Sequence, residues 1–254
     1  MSSLPNMSLG RFLALLAVLA GLLSACRQEP DPFPPLSETM ESTHFQYHFA
    51  PGDAIDTSWQ ELYLQGLLER LEVSVSYRLQ YHKYRNRAHL KALQGRDTNG
   101  FAEPGTPDFH TIWPIDNHEC VHVVAVNAIG HPPALFNEGL AVSQHYQSLV
   151  YPHLPVWNGQ PVGQVAKEWK EKGQIPAVAE LLESTGFFSF DPDLTYPVAG
   201  AFVHYLIAEY GIGKLKELFA PLHFESTATA TADQFLLVYG LSLEAAWTVW
   251  LAGL

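Results

Sequence analysis

The chain has 254 residues, 47% of them apolar and only 16% charged, which allows one large domain or two small ones around a sizeable core. Acidic residues outnumber basic ones 26 to 14, and there is no basic stripe or Lys/Arg-rich block, which argues against nucleic acid as a partner. The two cysteines, Cys26 and Cys120, are too few for a disulfide framework.

In chain order, the first signal is the apolar run "FLALLAVLAGLL" behind Arg11. Spanning a bilayer takes roughly 20 apolar residues, so this shorter run has the length of a secretory signal core. It ends in "LSAC", Leu23 to Cys26, which resembles the lipobox of bacterial lipoproteins: a branched apolar residue, two small residues, then cysteine. The resemblance implies removal of residues 1–25 and lipid attachment at Cys26. The product would be an exported protein anchored in a membrane. Arg27 is unlike the Asp that favours inner-membrane retention, so the outer membrane is preferred. Cys120 then has no partner within the chain. Residues 26–41 carry four prolines and scattered acids, and read as a tether. At about 3.1 Å per residue, roughly 15 residues of polyproline-like tether reach roughly 45 Å.

The body starts with a strand at residues 44–50, "HFQYHFA", and a turn at "PGD". Apolar positions Trp59, Leu62, Tyr63, Leu67, Leu71 and Val75 then recur at helical spacing, with Ser58 as N-cap. "YRLQYHKY" predicts a second strand, and "RAHLKAL" a short helix stopping at Gly95. "DTNGFAEPGTP", residues 97–107, reads as turn material, and "DFHTIW" as a third strand. Downstream the pattern is almost all helical. Helices are expected over 116–128, capped by Asp116 or Asn117, and from Pro133 to about Gln147, separated by Gly130 and Pro132–Pro133. Others are expected over 161–173, 176–184, 197–211, 213–222 and 231–240. The last starts on Ser242 with Glu244 in its first turn. Strands early and helices late predict an α+β fold.

The stretch with chemistry is "IDNHECVHVV", residues 115–124. His118 and His122 are four apart, so on a helix they lie about 40° apart around the axis and one turn up. Two imidazoles there can aim at one point. Zinc takes nitrogen ligands at about 2.0–2.1 Å in a tetrahedral set. Glu119 is rotated off that face, better placed to reach a water at the metal than the metal itself, which is the division of labour in H-E-x-x-H. Three polar side chains beside Val121, Val123 and Val124 would be costly to bury without a cation. A catalytic zinc needs a third protein ligand. A metzincin would place a histidine where Ala128 stands, and His131 lies beyond the helix break. Glu138, in "ALFNEGLAVSQ" on the next predicted helix, is the better candidate. A helix–turn–helix connection folds that helix back on the first, and Glu138 has apolar neighbours that make a buried carboxylate need a cation. Cys120 points away from the ligand face and reads as a core residue.

"HECVH" followed by "NEGLA" resembles the gluzincin peptidases, in particular the bacterial peptidase MA-like domains, whose N-E-G-x-A motif carries the third zinc ligand. Residues 196–219, a Tyr-led helix ending in Tyr-Gly and then a Lys/Leu-rich helix, and the tail "FLLVYGLSLEAAWTVWL" match more loosely, so the resemblance spans about residues 42–254. It implies a zincin-like fold with a small N-terminal sheet, and a zinc site of His118, His122 and Glu138. It further implies hydrolysis of peptide bonds with Glu119 as general base. Such enzymes add a donor for the oxyanion, for which Tyr196 is the candidate, ahead of His204 and Tyr205. The competing expectation is a non-catalytic lipoprotein that uses the same fold for binding or envelope assembly.

Overall fold

The computed structural model describes residues 32–146 and 154–254, so Cys26 and the signal segment lie outside the described residues. The N-terminal half runs β1 (Glu38–Glu41), β2 (Phe45–Phe49), α1 (Thr57–Leu71), β3 (Leu79–Lys83), α2 (Arg87–Gln94), β4 (Gly100–Ala102) and β5 (Asp108–Thr111). These strands form one sheet in the order β1-β2-β3-β5-β4. The inner three are parallel and the two edges antiparallel. Parallel neighbours need a crossover, and α1 supplies the one between β2 and β3. Alternation sets the faces: Phe45, Tyr47, Tyr81 and Phe109 turn inward, are fully buried, and pack ring against ring along β2 and across to β3 and β5.

Among the described residues, the C-terminal half is helical apart from one hairpin. It runs α3 (Asn117–Ala128), α4 (Ala134–Ser143), the hairpin β6 (Val156–Trp157) and β7 (Gln160–Pro161), α5 (Val162–Glu171), α6 (Val178–Leu181) and α7 (Ser184–Phe187). The long α8 (Pro192–Tyr210) follows, then α9 (Ile212–Phe219), α10 (Ala228–Tyr239) and α11 (Leu243–Gly253). The fold is mixed α+β, as the order of patterns predicts.

Several boundaries differ from expectation for physical reasons. The expected tether runs to residue 41, but its last four residues form β1, paired antiparallel with β2. All four are exposed, so an edge strand here needed no apolar alternation. The cap of α1 is Asp56, whose Oδ1 accepts from Trp59 N at 3.1 Å, in place of Ser58. The same helix stops at Leu71, short of Val75, because Glu72 turns left-handed at φ 51° and hands its N–H back to the last turn. The segment 97–107 holds β4, which pairs with β5 around a tight turn closed by Glu103 N to Asp108 O at 2.9 Å. Three residues are too few to show a period. α4 stops at Ser143, before the expected Gln147.

α8 begins at Pro192, capped by Asp191, five residues earlier than the expected start at Pro197. Pro197 therefore sits inside the helix, where it cannot donate to the Asp193 carbonyl. The Trp169 indole of α5 donates to that carbonyl instead, at 3.0 Å. Glycine governs how closely α8 meets α4. A Cβ on Gly139 would lie 2.6 Å from Val203 Cγ2 and 2.9 Å from Ala199 O, and one on Gly200 would lie 2.3 Å from Val142 Cγ1. The glycine of "NEGLA" is thus a packing requirement, and it sets Tyr196 of α8 near Glu138 of α4.

Candidate metal centre

The site starts from the way α3 is held. Asp116 caps it, Oδ1 accepting from Glu119 N at 3.0 Å. The fully buried Gln60 of α1 grips Asp116 by both backbone groups, donating to its carbonyl and accepting from its N–H, each at 3.1 Å. With its first turn fixed, α3 presents His118 and His122 on one face. The break at residues 129–133 turns the chain back, and α4 brings Glu138 opposite them.

The three side chains converge. His118 Nε2 lies 3.1 Å from Glu138 Oε2, His122 Nε2 lies 3.2 Å from the same oxygen, and the two Nε2 atoms are 3.1 Å apart. Among the described residues this is the one group of histidine, cysteine and carboxylate side chains that can hold a metal ion. A cation about 2.0–2.1 Å from each atom of such a triangle subtends angles of roughly 100°, close to the face of a tetrahedron. Two imidazole nitrogens and a carboxylate are a donor set for a borderline dication.

Electrostatics agree with that picture. Burial opposes ionisation of Glu138, but His122 and His118 hold its carboxyl well below the usual carboxylate range. Burial also opposes a charged His122, yet the Glu138 carboxylate, by charge and hydrogen bond, carries it up to about 9. The site is therefore poised to pair positive charge with Glu138. Glu119 takes no part in the triangle. Burial, joined by the charge of Asp116, pushes its carboxyl up to about 7 against the pull of the two imidazoles. It lies against β4, where a Cβ on Gly100 would meet Glu119 Oε1 at 3.1 Å.

Tyr196 stands beside the group, its ring centroid 6.0 Å from that of His118. It lies in the second turn of α8 and not ahead of the helix start as expected. Trp157 stacks on it at 5.3 Å. Burial, with the charges of Glu138 and Glu119, pushes its phenol above the usual value, so it remains a hydrogen-bond donor at neutral pH. His204 and Tyr205 line a separate apolar cavity with Trp250 and Leu254, and do not reach the centre. His131 borders the cleft over the His118–His122–Glu138 group but stacks on Phe224 and is outside the ligand group. Cys120 is fully buried in the core and unpaired.

Sequence reasoning missed the cleft walls. Trp157 is carried by a hairpin whose turn is Asn158–Gly159, both at positive φ, 48° and 82°. Asn-Gly between two short strands is a strong hairpin signal and was there to be read. The hairpin docks on α8 through Trp157 Nε1 and Asn158 Nδ2, which both donate to Asp193 Oδ1, at 2.9 and 3.1 Å. Gln60, Gly100 and Trp113 have no local signal at all.

No protein-family model matches the chain, and no curated protein matches its sequence.

Proposed function

We propose that the protein is a zinc-dependent peptidase of gluzincin type, tethered to a membrane through a lipidated Cys26. The observation that carries this reading is the triangle of His118 Nε2, His122 Nε2 and Glu138 Oε2, with sides of 3.1–3.2 Å, and a free carboxylate, Glu119, beside it. His118, His122 and Glu138 would hold the ion. Zinc bound there would act as a Lewis acid and bring the pKa of a water to about 7.

The remaining chemistry belongs to the chain. Glu119, which stands beside the group and outside its triangle, would accept a proton from the attacking water and pass it to the leaving amine. The Tyr196 phenol donates to the oxyanion as the carbonyl becomes tetrahedral. β4 is an edge strand, and an extended peptide can pair along its outer edge and lie in the cleft.

Zinc stoichiometry and hydrolysis of an unstructured protein test the proposal. Wild type binds one zinc and cleaves. Glu119→Gln keeps the zinc and loses about 10²–10⁴ in kcat. Glu138→Ala loses the zinc. Zinc-loaded wild type that cleaves nothing, and is indistinguishable from Glu119→Gln, would leave the binding-module reading in its place.

A further inference from the structure

A second cavity, of about 470 Å³, lies away from the cleft and shares no lining residue with it. It is bordered by the approach to β6, the start of α5, the middle of α8 and the end of α11. Ligand cavities measure about 300–1,000 Å³, so this one has room for one small molecule.

The walls are apolar. Pro155, Val162, Ala201 and Trp250 are among them, and no lining residue has a charged side chain. Glycines leave space at two places: a Cβ on Gly163 or on Gly253 would meet nothing within 4 Å. Leu154 and Val249 line the cavity and are themselves 53% and 57% exposed, so the aliphatic lining continues out to the mouth. Such surface is left for an apolar occupant to cover. The two aromatic rings of the lining, Tyr205 and Trp250, are already packed on Phe202. They offer no open platform for a flat aromatic ligand, and a flexible chain fits the remaining aliphatic walls.

Polar groups are few and lie together. His204 and Tyr205 are neighbours on α8, and the Tyr205 hydroxyl is already hydrogen-bonded to Tyr210. Burial lowers the pKa of His204, and no charged group is set against it. Its imidazole is therefore neutral at pH 7 and presents one donor and one acceptor. A charged head would be desolvated here without a counter-ion, a cost that a hydroxyl escapes. The lining thus complements an uncharged molecule with a long apolar body and a single polar end.

We infer that this cavity binds a single-chain lipid with a neutral hydroxyl head, its aliphatic chain held between α8 and α11 and its head at His204. The inference does not rest on the peptidase reading, since none of His118, Glu119, His122, Glu138 and Tyr196 borders the cavity.

The test is calorimetric titration of the full chain carrying Cys26→Ser, so that no attached lipid competes, with 1-octanol, 1-decanol and decanoate. Decanol binds saturably and roughly tenfold more tightly than octanol, as two further buried methylenes require. Decanoate binds at least about tenfold more weakly than decanol. Ala201→Phe fills the cavity, and Val249→Asp puts a charge at an exposed position of its rim, where folding tolerates it. Each weakens decanol at least about tenfold, and His204→Leu weakens it about fivefold, at unchanged zinc content. No saturable binding of decanol, equal affinity for octanol and decanol, or undiminished affinity in Val249→Asp overturns the inference. So does tighter binding of decanoate, or adsorption to phosphatidylcholine vesicles without binding of the free alcohol, which marks a membrane-docking face instead.

Discussion

Gly100 is the point where β4 approaches the Glu119 carboxylate, and its missing side chain is a geometric requirement. A Cβ there would lie 3.1 Å from Glu119 Cγ and Oε1 and 3.1 Å from the His110 carbonyl. The carbonyl belongs to the sheet and cannot yield, so Glu119 must shift. Under the proposed peptidase reading, Gly100→Ala should lower kcat at least about tenfold with zinc content unchanged, because catalytic groups tolerate little displacement; steady-state kinetics with metal analysis decides it. At this scale His118, Glu119 and His122 were legible because a fixed spacing on one helix carries its own geometry. Glu138 was legible through "NEGLA" and the apolar residues around it. Gln60 was not: its neighbours read as an amphipathic helix, and nothing local says that its side chain grips the backbone of a residue 56 positions later.

Two devices appear at the level of elements. The first is the close crossing of α4 and α8 at Gly139 and Gly200. Alanine at 139 returns about 1 kcal/mol of helix propensity, but its Cβ would press on the Ala199 carbonyl, and overpacking costs about 1–3 kcal/mol. The steric term should win, and Gly139→Ala should unfold at lower urea than wild type. The second is a row of stacked rings on the outer face of the sheet. His48, His82 and His110 occupy paired positions on β2, β3 and β5, with centroids 4.6 and 4.5 Å apart, and the row ends on Phe101 of β4 at 4.5 Å from His110. Burial, with His82 adding to it, brings His110 down to about 4 from the usual 6.5, while Asp108 pulls the other way. His82 is lowered as well, by burial first, against its 2.9 Å hydrogen bond to Asp108. The folded state thus binds fewer protons than the unfolded one. Stability from this row is complete above about pH 6.5 and is lost as pH falls from there toward 4. Thermal midpoints across that window should fall in wild type and fall less steeply in His110→Phe. The strands themselves were legible by alternation, but their neighbours across the sheet were not, since register is a relation between segments.

For the molecule as a whole, the His118–His122–Glu138 group, which could hold a metal ion, joins the largely buried helices α3 and α4. Binding of zinc to the native state alone should stabilise it by about 2.7 kcal/mol at a free concentration a hundred times Kd, which raises Tm by roughly 5–10 °C for a chain of this size. Glu138→Ala should lose that response, as differential scanning calorimetry with and without zinc would show. The order of strands and helices, the α+β class and the paired motifs followed from sequence alone, because periodicity and turn chemistry act over a few residues and survive in one dimension. The parallel sheet, the edge strand beside Glu119, the aromatic wall of the cleft and the convergence of Glu138 on two imidazoles were decided by tertiary structure. Each joins segments tens of residues apart, and only packing in three dimensions specifies which of them meet.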